Sequence, residues 1–202
     1  MDLVAYINEL NRRGVEIYRC LSPQLLISLM QTASRESSDF HKSLDPFAEA
    51  KFAVSWAGEE KSANWFDTAR EVTERWHHQQ QIRMAVKRPG IMTPELYHPV
   101  LDCFMRALPF TYRTIHSKSG SLVQFHVTGN CGGRWFLYRN DSSWHLVTSA
   151  TGDLVAETTI PQEIAWRIFT KGIGAEAAKQ QVTVEGDKRV GLHILSMITI
   201  VG

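Results

Sequence analysis

Glu74 and His78 have the spacing that most directly suggests chemistry in this chain. Four residues along a helix return to the same face, one turn on. A carboxylate oxygen and an imidazole nitrogen placed there can both reach one divalent ion at about 2 Å. Asp67 and Glu71 extend this polar face, and Asp67, Glu71, Glu74 and His78 fall within a sector of roughly 60°. Trp65, Ala69, Val72 and Trp76 lie nearly opposite. Two readings stay open. The polar sector is half of a metal site, or the tryptophan stripe faces the core and Glu74–His78 is an incidental pair on a solvated face. His77 points about 100° from the pair, which suits a surface or supporting role better than ligation. Gln81 and Arg83 lie about one turn further on, where either can orient a substrate carboxylate.

Other chemistries have less support. Cys20, Cys103 and Cys131 are odd in number and have no Cys-x-x-Cys spacing, so a disulfide framework or a Cys-rich zinc site is not expected. A reducing cytoplasm fits that usage. Asn130-Cys131-Gly132-Gly133 lacks the strand-to-helix context of a phosphate loop and reads as a hairpin turn, with Cys131 a candidate exposed thiol. There is no Gly-x-Ser-x-Gly for a serine nucleophile. The net charge of +1, without a basic block, gives no support for a nucleic-acid partner. The N-terminus has no signal-peptide pattern, and the apolar stretch Val190 to Val201 is too short to span a bilayer, so no membrane role is expected.

These residues need elements to hold them. The 202 residues are 44% apolar and 21% charged, the balance of a globular chain with a packed core. Apolar residues at three- and four-residue steps predict a helix over 2–19. Ser22 as N-cap and Pro23 in the first turn open a second helix, which reaches about Leu44 before Asp45-Pro46. Residues 47–62 are a connection whose Phe52 and Trp56 should pack over something, with Trp56 a candidate substrate-binding residue. A third helix over about 63–86 carries Glu74 and His78. Thr93-Pro94 opens a fourth, ending near Leu108 before Pro109. The period then changes to short alternations at 122–128, 135–138, 144–147 and 154–159. Their loop lengths predict an antiparallel meander, with Trp135, Phe136, Tyr138 and Trp144 filling its core face and the ridge above. Helices follow at 162–170 and 175–180, then a short strand at 182–184 and a closing helix or strand at 188–198. The expected architecture is α plus α+β: a helix bundle over 1–112 and a small antiparallel-sheet α/β domain over 113–202.

Several segments resemble one family. Trp56-Ala57-Gly58-Glu59-Glu60, Asn64-Trp65-Phe66-Asp67 and Glu74-Arg75-Trp76-His77-His78-Gln79-Gln80-Gln81-Ile82-Arg83 are similar to the DinB-like superfamily, in its mycothiol-dependent maleylpyruvate isomerase branch. Ala165-Trp166-Arg167-Ile168-Phe169-Thr170-Lys171-Gly172 and Val184-Glu185-Gly186-Asp187 resemble that branch's sterol-carrier-like C-terminal domain. The resemblance implies an up-and-down bundle holding zinc, nickel or manganese through Glu74 and His78. It also implies a low-molecular-weight thiol that the metal activates for isomerase or S-transferase chemistry on a small molecule. Arg83, Trp56, Arg167 and Arg189 are the candidate substrate-binding residues. The family's third ligand is a histidine on an earlier helix, and no residue here corresponds to it; His41 falls outside the ligand motif. The chain is then a shortened version beginning at Met1, a metal-free relative, or a subunit completed by a second copy. A bundle lacking an early helix exposes an apolar groove, so a homodimer is expected. The alternative function is a non-catalytic ligand- or partner-binding module derived from such an enzyme.

Overall fold

The computed structural model describes residues 3–149 and 151–200, and the side chains from residue 5 onward. Met1, on which the reading of a shortened start falls, lies outside the described residues, as do residue 2 of the first helix and Val201 of the apolar tail. Helices α1 (Leu3–Tyr18) and α2 (Pro23–Ser43) come first. Ser22 caps α2 as its sequence predicts: its side chain accepts the Leu25 N–H at 3.3 Å, with Pro23 in the first turn. Leu44, just before Asp45-Pro46, is extended and ends the helix.

Helix α3 (Asn64–Ala85) packs on α4 (Pro94–Met105). Pro109 does not stop the helical path. It lies in the first turn of a short α5 (Leu108–Thr111), where its missing N–H costs nothing. No described side chain of α1 or α2 is buried, although Ile7, Gly14, Leu26 and Ser37 are partly covered. The C-terminal end of α2 meets α3 through His41 Nδ1 and Thr68 Oγ1 at 3.1 Å, and through Arg75, which donates to Ser37 Oγ at 2.6 Å. Of the four long helices, α3 and α4 carry buried side chains, and the described side chains of α1 and α2 lie outside that core.

Five strands follow: β1 (Ser121–Thr128), β2 (Gly133–Arg139), β3 (Trp144–Val147), β4 (Asp153–Pro161) and β5 (Thr183–Gly186). Helices α6 (Gln162–Phe169) and α7 (Ala175–Lys179) stand between β4 and β5. α8 (Lys188–Gly191) and a 3-10 turn at Leu192–Ser196 follow, so the open choice at 188–198 falls to helix over 188–196, with Met197 extended. The sheet order is β3-β2-β1-β4-β5. This corrects the antiparallel meander. β4 does not pair with β3; it runs parallel to β1 on the far side, Gln124 opposite Glu157. Adjacent strands joined by short loops usually pair, but β1 is nearly all buried and needs partners along both edges. The β2–β3 hairpin supplies the long crossover that a parallel pair requires. The turn at 129–133 is the expected hairpin. A Cβ on Gly132 would lie 1.9 Å from the Val127 carbonyl oxygen, which only glycine avoids.

One buried cluster runs from Val54 to Met197 and draws on the helices and the sheet alike. Trp135 and Trp144 belong to it as expected, while Phe136 and Tyr138 are only half-buried. Trp76 stacks on Tyr97 at 4.4 Å. The Tyr97 hydroxyl donates to the Gln162 carbonyl at 2.7 Å and accepts the Trp166 N–H at 3.1 Å. These contacts fix α3 and α4 against α6, and so decide which side of α3 looks inward.

Candidate metal centre

The inward side of α3 is neither of the two faces expected. Phe66, Thr73, Trp76, His77 and Gln80 are buried. Their arc is centred roughly 70° from the tryptophan stripe. Trp65 and Val72 in that stripe are 39% and 50% exposed, so only Trp76 and part of Ala69 face the core. The acidic sector lies at the edge of the buried arc. Asp67 and Glu71 are already engaged there. Arg70 donates to Asp67 Oδ1 at 2.6 Å and lies 3.0 Å from Glu71 Oε1. Burial alone would lower the Arg70 guanidinium pKa, but the Asp67 hydrogen bond and the charges of Glu71, Asp67 and Glu74 outweigh it and raise it. Glu74 is the carboxylate of the sector whose close partners are histidines and not an arginine or lysine.

Glu74 Oε2 lies 3.6 Å from His78 Nε2 and 3.8 Å from His77 Nδ1. One donor atom from each of the three residues falls within 4.8 Å of the others. Two donors bound at about 2.1 Å to one tetrahedral ion sit about 3.4 Å apart. The Glu74–His78 and Glu74–His77 separations are within a few tenths of an ångström of that value, so each pair suits one divalent cation, and the full set, within 4.8 Å, closes on it by side-chain movement. His78 Nδ1 stands 3.1 Å from Gln81 Oε1. A proton held on Nδ1 by that amide leaves the Nε2 lone pair directed at the Glu74 side, the arrangement that orients metal-ligating histidines.

The structure thus brings Glu74 and His78 together and adds His77, for which sequence reasoning favoured a supporting role. His77 is 3% exposed, and neither ring nitrogen makes a hydrogen bond. Its ring lies 4.7 Å from that of His78 and 6.2 Å from Trp166 of α6. The signal that could have found it is the three-residue step from Glu74, which shares a helix face as well as a four-residue step does. His41 is not part of the group; it bonds Thr68.

The substrate-binding candidates do not converge here. Arg83 donates to the carbonyls of Arg88 and Pro89 at the end of its own helix. Arg167 donates to Gly172, and Arg189 to His116. Trp56 is buried in a 3-10 turn at Ser55–Ala57 and stands edge-on to Phe66. It borders a cleft of about 430 Å³ that also touches Arg113 and His193, and none of Glu74, His78, Arg83, Arg167 or Arg189 lines it. Phe52, the other aromatic of that connection, is 55% exposed, so the connection packs through Trp56 alone of the two. Cys131 is buried rather than exposed. Its thiol donates to the Met92 carbonyl, and burial raises its pKa, which disfavours a thiolate.

No protein-family model matches the sequence, and no curated protein matches it. Solved structures match part of the chain. A sterol carrier protein domain 2 from Helicoverpa armigera is 14% identical, covers 54% of this chain and 89% of its own, and has a TM-score of 0.36. Sterol carrier protein 2 from Yarrowia lipolytica, in its apo form, is 15% identical over 37% of this chain and 63% of its own, at 0.31. A UbiJ-SCP2 ubiquinone synthesis protein is 14% identical over 38% and 67%, at 0.29. The chain itself is a helical segment followed by a small five-stranded mixed sheet, an α plus α+β architecture. Among the described residues no helix is long and apolar enough to cross a membrane.

Proposed function

We propose that this chain is a ligand- or partner-binding module that captures a divalent metal ion on α3, through Glu74 and His78 with His77 as a third donor, and that it is not a complete thiol-using enzyme by itself. The observation that carries this reading is the meeting of three donor atoms within 4.8 Å on a single helix. Zinc, nickel and manganese all accept mixed carboxylate and imidazole donors. All three donors come from α3, and the His78 side chain is 65% exposed. The ion would therefore be held from one side, with its remaining positions toward solvent. An enzyme needs more: groups that hold the substrate against the reacting centre within a fraction of an ångström. Arg83, Arg167 and Arg189 each bond a backbone carbonyl elsewhere and do not converge on the three donors, which supports the module over the enzyme.

One observation favours the second reading, a metal-dependent isomerase or S-transferase of the maleylpyruvate isomerase type. The open positions leave room for a small thiol, and a bound divalent ion would supply acidity that favours its thiolate. Cobalt titration of the full chain separates the two readings. Both expect visible cobalt bands that are lost in Glu74→Gln. The module reading expects no sulfur-to-cobalt charge-transfer band when low-molecular-weight thiols are added. Its appearance, together with turnover of a thiol acceptor, would establish the enzyme.

A further inference from the structure

Helix α1 is amphipathic, yet among its described residues the apolar face is only partly covered, at Ile7 and Gly14, and none of its side chains is buried. Glu9, Arg12, Arg13 and Glu16 pair with one another along its polar side. Leu10, Ile17 and Tyr18 lie on the other side; Tyr18 lines a cleft with Leu29 and Met30 of α2, and Phe40 is open further along α2; these six are 45–65% exposed. Tyr6 and Leu25 extend the surface at either part. An aromatic side chain offers about 150–250 Å² and an aliphatic one somewhat less, so eight half-open side chains present on the order of 800 Å² of apolar surface. A monomer rarely leaves so much apolar surface open on two consecutive helices. It is also about what one partner contributes to a stable protein–protein interface.

The charges indicate what covers it. Within α1 two arginines balance two glutamates; within α2 Arg35 and Lys42 balance Glu36 and Asp39. A helix that lies on a lipid surface carries an excess of Lys and Arg along its polar face, and neither helix does. A nucleic-acid or strongly acidic partner would need the same missing excess. A neutral apolar face flanked by equal numbers of both signs can instead meet a copy of itself without like-charge repulsion, as a two-fold interface demands.

We infer that two copies of this chain associate through the α1–α2 apolar face, forming a shared helical layer that neither copy builds alone. The test is sedimentation analysis of the full chain with a chelator present, so that its outcome is independent of metal capture. Interfaces of this area have dissociation constants from micromolar down to picomolar, so concentrations from about 1 to 100 µM should populate the dimer. The expected mass is twice the 23.0 kDa of one chain. Ile17→Glu with Met30→Glu, both at positions 65% exposed, should return the mass to that of a single chain with the circular dichroism of the helices kept. A wild-type chain that sediments at single-chain mass throughout overturns the inference, as does a broad distribution without a dimer. So does a folded double variant that keeps the doubled mass.

Discussion

Glu74 sits one helical turn from both histidines, and the polar groups around it decide how each substitution should act. Gln81 touches only His78 in this cluster, through the contact between its Oε1 and Nδ1. Gln81→Ala should weaken cobalt or zinc binding by about 10-fold or more, because the ring loses the acceptor that fixes its tautomer and orientation. Unchanged affinity in calorimetry would mean that His78 does not ligate through Nε2. The cysteines give a separate check on the chemistry of single residues. Cys20 is exposed; Cys103 and Cys131 are buried. Burial pushes the Cys103 thiol from 9.0 up to about 12, so it stays protonated at neutral pH. A thiol-labelling reagent should therefore modify one cysteine of the native chain quickly, with the other two reacting only on unfolding. Rapid native labelling of two or three would contradict the packing around β2 and α4. The meeting of Glu74 and His78 on one helix face was legible from spacing alone. His77 was discounted because its angular offset was measured from the pair, while its three-residue step from Glu74 is equally short across the surface of a helix.

Elements were most readable where a local rule acts without competition. The Ser22-Pro23 start of α2 and the glycine turn at Gly132 follow from capping and sterics within a few residues. Tertiary packing overrode the rest. The inward side of α3 is set by α4 and α6 closing over Thr73, His77 and Gln80, which no single-helix projection reveals. The pairing of β4 with β1 is set by the need to satisfy both edges of the most buried strand. Pro109 was read as a stop, when the first turn of a helix accommodates it. Tyr97 is the residue through which α4 grips α6, and it gives the element-scale prediction. Tyr97→Phe removes the acceptor of the Trp166 N–H and the donor to Gln162. In a site this buried the loss should be about 1–3 kcal/mol, read as a lower denaturation midpoint with an unchanged denaturant slope. A variant as stable as the wild type would show that α4 and α6 are held by apolar contact alone.

Across the whole molecule, the sheet and the inner helices share one core, and no described side chain of α1 or α2 is buried in it. The molecule is thus well packed around β1 and open around the outer helices, and the candidate metal donors lie on α3 between the two regimes. An ion held only by the folded chain adds to global stability in proportion to its occupancy. That links the central claim, capture of a divalent ion by Glu74, His77 and His78, to one measurement on the intact protein. Thermal unfolding of the metal-stripped chain should shift upward as zinc or nickel is added, by an amount that grows with concentration. The same titration should leave His78→Ala and Glu74→Gln unmoved, while both variants fold with the wild-type circular dichroism. A wild-type midpoint indifferent to metal, or a shift of the same size in the two variants, would contradict the account.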